Sequence, residues 1–136
     1  MCRGNVGRSQ MAEALFSKYS KHQVFSAGTK VHENDGEKIK NIPLAKEVIG
    51  SMNEESLDIS ENIRKQITPE MVNDYDKIIV MAEPETMPEF LKNSNKVVYW
   101  NIEDPKGKSM DDYRLLIKDL KHLIQKLIIN IKSSPQ

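Results

Sequence analysis

Residues 1–20, MCRGNVGRSQMAEALFSKYS, decide how the rest of the chain is read. They join a glycine-containing loop over 1–8 to a helix over 9–20, in which Met11, Ala12, Leu15, Phe16 and Tyr19 recur on one face. A short loop ahead of a helix can turn its backbone N–H groups inward as an anion nest, and the helix N-terminus adds partial positive charge. Arg3, Gly4, Asn5, Val6 and Gly7 form that loop between Cys2 and Arg8. Gly4 and Gly7 are expected to take backbone angles that other residues resist, and Asn5 tolerates the left-handed region. Arg8 offers a planar two-donor fork for a phosphate-like oxyanion. A thiol facing such donors is favoured as the thiolate, the form that attacks. Ser9 stands where its hydroxyl can hydrogen-bond that sulfur. The stretch therefore predicts a nucleophile, Cys2, aimed at the floor of an oxyanion cup.

Outward from the loop, elements alternate. Positions 24–27 form a short strand closed by Gly28, and the polar stretch 30–42 is a loop. A helix starts at Pro43, with Leu44, Val48, Ile49 and Met52 on its face. Thr68 caps a short helix over 70–75. The run Ile78, Ile79, Val80 within 77–81 suits a buried parallel strand. A short helix over 84–91, a strand over 97–100 and a loop over 101–110 follow. The last segment repeats Tyr113, Leu116, Ile117, Leu120, Leu123, Ile124, Leu127, Ile128 and Ile131 at helical steps, the stripe that covers a sheet. Strands alternating with helices imply one α/β domain with a parallel sheet over residues 1–136.

Composition narrows the function. Lys+Arg and Asp+Glu both total 20 in 136 residues, so the electrostatic case for a nucleic-acid partner is absent. No apolar run approaches the ~18 residues of a membrane helix, and no leader opens the chain; a cytoplasmic protein is expected. The single cysteine, Cys2, excludes an internal disulfide, and no Cys/His cluster has metal-binding spacing. His22, His32 and His122 are scattered on polar stretches and read as surface residues.

The stretch CRGNVGRSQMAEALF resembles the signature of the low-molecular-weight protein tyrosine phosphatase family, which includes the thioredoxin-coupled arsenate reductases. The resemblance extends along most of the chain, through Ser26-Ala27-Gly28-Thr29, Leu57-Asp58-Ile59-Ser60, Gln66-Ile67-Thr68, the segment 76–81 and the pair Asp104-Pro105. It implies a three-layer α/β fold with a four-stranded parallel sheet flanked by helices, and no metal or organic cofactor. Cys2 would attack phosphorus and become a phosphocysteine. Arg8 would bind the equatorial oxygens, and Asp104 would protonate the leaving oxygen and then activate water. Arg3, Gly4, Asn5, Val6, Gly7 and Ser9 would surround the substrate, with Asn5 holding the loop, Ser9 tuning the sulfur and Arg3 on the rim. Without the resemblance, Asp104-Pro105 reads as a plain turn.

The chain departs from the family pattern in five places. The family sets a hydrophobic strand directly before the cysteine, and only Met1 precedes Cys2, so the first strand is expected to be missing. Poor stability, self-association through unpaired edges and weak activity are then expected. Gly7 replaces a second loop cysteine, Asn62 stands where histidine is common, and Lys65 where arginine is common. Lys106 and Gly107 follow the Asp-Pro pair in place of aromatics. Tyr99, Trp100 and Tyr113 are candidates for a substrate wall, although aromatics at such positions are more often core.

Three functions stay open. The first is a cysteine-dependent phosphomonoesterase acting on a phosphorylated protein or a small phosphate ester. The second is an arsenate reductase, suggested by Gln10 in the wording Arg-Ser-Gln-Met-Ala-Glu. With one cysteine, it would need an external thiol. The third is a non-catalytic phosphate- or phosphoprotein-binding remnant. No nucleic acid or membrane partner is expected, and the oligomeric state is open.

Overall fold

The computed structural model describes residues 1–105 and 108–133. Five helices and two strands appear among them: α1 (Arg8–Tyr19), α2 (Lys46–Glu54), α3 (Pro69–Asp74), β1 (Ile78–Val80), α4 (Glu89–Lys92), β2 (Val97–Tyr99) and α5 (Met110–Ser133). The α/β class and the parallel sheet are as expected. β1 and β2 pair in parallel with Ile78 opposite Val97 and Val80 opposite Tyr99. Val98 and Tyr99 are exposed, which makes β2 an edge.

On the other side of β1 the parallel arrangement continues as single bonds rather than ladders. The Met1 amine donates to the Ile79 carbonyl, and Met81 N donates to Met1 O at 2.7 Å. Cys2 N donates to Ala27 O at 3.4 Å, and Thr29 N donates to Cys2 O at 2.9 Å. Beyond them Gly28 N donates to Lys65 O and Ile67 N to Gly28 O. Cys2 thus lies between β1 and the 27–29 segment, bridged in parallel to Gly28. Where the resemblance implies four strands, two form among the described residues, and the row is extended by isolated bridges. The 24–27 segment has no ladder. A cavity of about 500 Å³ separates it from 76–79, lined by Phe16, Val24, Ile78, Ile124 and Leu127 among others.

The helices bury the faces their spacing marks. α5 turns Tyr113, Leu116, Ile117, Leu120, Ile124 and Ile128 inward against Met11, Leu15 and Phe16 of α1 and Val48 and Met52 of α2. Two local expectations shift. A turn at Pro43–Ala45 precedes α2, so Leu44 projects into solvent instead of joining the apolar face. Pro88 splits the helix expected over 84–91 into a turn at Pro84–Thr86 and the single-turn α4, because proline cannot supply an interior N–H. The 30–42 loop contributes two core residues, Val31 and Ile39.

Candidate active site

The loop before α1 is shaped around Asn5. Its backbone is left-handed, φ +54°, and its side chain is fully buried. Both amide protons are used: Nδ2 donates to Ser9 Oγ at 2.8 Å and to Ser26 Oγ at 3.1 Å. Its Oδ1 accepts from Lys65 N at 2.9 Å and Gln10 Nε2 at 3.2 Å. A buried amide with every valence satisfied fixes a loop more firmly than any one bond does. Gly4 and Gly7 play a different part from the one their type suggests. Neither has a positive φ; among the described glycines only Gly36 does. A Cβ on Gly7 would meet Val48 at an ordinary 3.9 Å, so the smallness of that residue is not demanded by its neighbours.

The glycine that the loop does need is Gly28. A Cβ there would stand 2.7 Å from Arg3 O and 2.6 Å from Val31 Cγ2. Sequence reasoning assigned Gly28 no role. Its signal was its place at the end of the 24–27 segment, where a close backbone approach favours glycine.

Cys2 is 3% exposed and its Sγ lies 3.0 Å from Ser9 Oγ. Because the Ser9 oxygen already accepts from Asn5, its single proton is available to the sulfur. Among the described residues, no backbone amide from Arg3 to Arg8 donates to a protein acceptor. These amides sit at the N-terminus of α1, beside the one buried thiol. Arg3 is exposed, and Gly4, Val6 and Gly7 are half-buried.

Arg8 is 3% exposed. Its Nη1 donates to Met81 O at 2.6 Å and Ile102 O at 3.0 Å, the carbonyls at the exits of β1 and β2. Its Nη2 meets Glu83 Oε1 at 3.3 Å and Asp104 Oδ2 at 3.7 Å. The guanidinium therefore brings Asp104 to the loop that carries Cys2. Burial raises the pKa of the Tyr113 hydroxyl, and the negative charges of Asp104 and Glu47 add to that shift. Tyr113 is 3% exposed and belongs to the core, Trp100 packs partly buried against it, and Tyr99 lies exposed on the edge strand. Lys106 and Gly107 lie outside the described residues.

The supporting shell differs from expectation by one residue. Arg64 donates from Nε to Gly4 O at 2.9 Å and pairs through Nη1 with Glu37 Oε1 at 2.8 Å. Lys65, the position set against the family arginine, instead places its ammonium 4.8 Å from the Phe25 ring. Asn62 supports the loop at one remove, donating to Gln10 Oε1 at 3.2 Å while Gln10 holds Asn5. All three histidines are exposed. No group of His, Cys, Asp and Glu among the described residues has metal-binding geometry, and no helix is long and apolar enough to cross a membrane.

Known proteins resemble this chain in sequence and fold. An arsenate reductase from Bacillus cereus (strain ZK / E33L) is 30% identical over 122 residues, 84% of this chain and 80% of that protein. The low molecular weight protein tyrosine phosphatase from T. tengcongensis superposes with a TM-score of 0.76 at 25% identity, covering 95% of each chain. Vibrio vulnificus Wzb in complex with benzylphosphonate gives 0.79 at 21% identity, covering 93% of this chain and 92% of that one. The sequence model of one family, described as low molecular weight phosphotyrosine protein phosphatase, matches residues 1–136. A buried cysteine beside a serine hydroxyl, in a loop whose amides pair with no described protein group and whose arginine meets an aspartate, is thus set in a chain that belongs throughout its length to the low molecular weight phosphotyrosine protein phosphatase family.

Proposed function

We propose that Cys2, Arg8 and Asp104 are the nucleophile, the oxyanion binder and the proton donor of a phosphomonoesterase. The Cys2 thiolate attacks phosphorus, an S–P bond forms and the P–O bond to the leaving group breaks. Asp104 gives its proton to the departing oxygen. Asp104 then takes a proton from water, whose oxygen attacks the phosphocysteine. Phosphate leaves, and the thiolate is restored. The loop amides 3–8 and the Arg8 fork take the charge of the transferring group. The observation that carries this reading is the Ser9 hydroxyl 3.0 Å from Cys2 Sγ beside amides that no described protein group uses. Arg3, Gly4, Asn5, Val6, Gly7 and Ser9 are the substrate-contacting or loop-shaping residues on this account.

The substrate is a phosphorylated protein or a small phosphate ester. With Tyr113 in the core, little aromatic wall remains beside the cup, so a strict aryl requirement is not expected. We read residues 1–136 as one cytoplasmic domain without nucleic-acid or membrane partners. The bridges at Cys2 and Gly28 support a sheet of four-stranded register.

A second reading is favoured by the B. cereus relative and by Gln10. Cys2 would attack arsenic and release water. One external thiol would then attack the Cys2 sulfur, arsenite leaving with the electron pair. A second thiol would reduce the mixed disulfide, so two thiols become one disulfide per arsenite. Parallel assays of aryl phosphate hydrolysis and of arsenate-dependent thiol loss separate the two. Faster turnover of arsenate would replace the phosphatase reading. Protection of Cys2 from alkylation by phosphate with no turnover in either assay would leave only a binding role.

A further inference from the structure

Among the described residues, one buried side-chain oxygen lacks a hydrogen-bond partner: Oε2 of Glu83. Leaving a buried acceptor unpaired is costly, and this one belongs to a carboxylate that touches the oxyanion-binding arginine. Glu83 follows β1 by three positions, at the carboxyl end of the sheet where ligands sit in open α/β folds. Its side chain as a whole is 38% exposed, so it lies beside Arg8 partly open to solvent, with Oε2 turned inward.

Arg8 sets the geometry. Its Nη1 is committed to two backbone carbonyls, at 2.6 and 3.0 Å. An oxyanion must therefore be taken by the remaining donors of the fork. Of these, Nη2 is held by Glu83 Oε1 at 3.3 Å and Asp104 Oδ2 at 3.7 Å. Both exceed the ~2.7–2.9 Å of a strong charge-assisted bond. An oxyanion that binds Nη2 consequently lies within reach of Glu83. A carboxylate only accepts hydrogen bonds. A fully ionised ligand oxygen placed against it is repelled, whereas an oxygen that still carries a proton can donate to it. Hydrogen phosphate and hydrogen arsenate keep at least one such proton near neutral pH. Sulfate keeps none.

We propose that Glu83 is a specificity-determining residue that accepts the O–H of a protonated tetrahedral oxyanion and thereby excludes sulfate. The proposal rests on the oxyanion-cup reading above and deepens it. Hydrogen phosphate, hydrogen arsenate and the monoanion of a phosphate monoester share the required chemistry, and turnover, not binding, distinguishes phosphoryl from arsenate ligands.

The test is protection of Cys2 from alkylation at constant ionic strength, with inorganic phosphate and sulfate as the probes. Wild-type protein is expected to be protected by phosphate at a concentration at least about tenfold below that needed for sulfate. In Glu83→Gln, whose amide can donate to a sulfate oxygen, sulfate protection improves and the ratio falls towards one. A merely structural role for Glu83 would weaken both probes together and leave the ratio intact, which would overturn the proposal. Equal protection of the wild type by the two anions overturns it without any variant and leaves the cup reading standing. Protection by neither anion removes both.

Discussion

Asn5 and Gly28 do opposite work at the same loop. Asn5 fills a buried site with four hydrogen bonds and holds a positive φ that most side chains resist. Gly28 leaves a site empty so that the Arg3 carbonyl can pass 2.7 Å from where a Cβ would stand. Gly28→Ala is therefore expected to lower stability in urea unfolding by about 1–3 kcal/mol, because the facing atom is backbone and cannot step aside. Gly7→Ala, with only Val48 at 3.9 Å, is its control and should melt within a degree or two of wild type, roughly. On this account Ser9 serves the sulfur as well as accepting from Asn5. Removing its hydroxyl by Ser9→Ala leaves Cys2 a poorer leaving group, so breakdown of the phosphocysteine should slow by about a hundredfold. A burst of product followed by a slow steady state would record that. An unchanged steady-state rate would show that the 3.0 Å contact has no catalytic use. The sequence pointed to Cys2, Arg8, Asn5 and Ser9 because they share one short stretch. It did not point to Glu83 or Gly28, whose roles exist only where separate segments meet.

At the scale of elements, the segment 62–66 is the scaffold of the cup. Arg64 draws the Gly4 carbonyl outward, and the Lys65 amide and the Asn62–Gln10 pair hold Asn5. Arg64→Met should keep the fold yet weaken competitive inhibition by phosphate about tenfold, since a loop shifted by a fraction of an ångström misaims its amides. Wild-type inhibition in that variant would remove Arg64 from the positioning role. Periodicity found the helices because each buries one long stripe, α5 most clearly. It overextended the strand at 24–27 because a strand needs a partner, and that segment faces a cavity instead. The family resemblance set the supporting arginine at Lys65, one residue late, because a loop has no period that fixes its alignment. The surface link between α2 and α5 is electrostatic. Arg114 donates to both Glu54 oxygens, at 2.9 and 2.8 Å, and this holds the Glu54 carboxyl below its ordinary value of 4.5. A depressed carboxylate stabilises the fold above its unfolded pKa and ceases to as pH falls through the folded one. Arg114→Met should thus lower Tm at pH 7, and the gap should close as acidification passes through the lowered Glu54 pKa, which lies below its ordinary 4.5. A gap that persists in acid would assign the loss to packing of the arginine stem.

Across the whole molecule, the α/β class and the parallel sheet were legible because apolar runs alternate with amphipathic stretches along the full chain. The extent of the sheet was not, since the row of bridges through Met1, Cys2 and Gly28 is a matter of tertiary register. The two strand exits and the loop at α1 converge on Arg8, which receives the carbonyls of Met81 and Ile102 and the side chains of Glu83 and Asp104. The architecture thus exists, on this account, to hold one thiol under one oxyanion. The most direct measurement is mass spectrometry of the protein quenched in acid during turnover of an aryl phosphate. One added phosphoryl group on Cys2 is expected, enriched in Asp104→Ala and absent in Cys2→Ser together with turnover. Phosphate release at the wild-type rate by Cys2→Ser, or a phosphoryl group on any other residue, would contradict it.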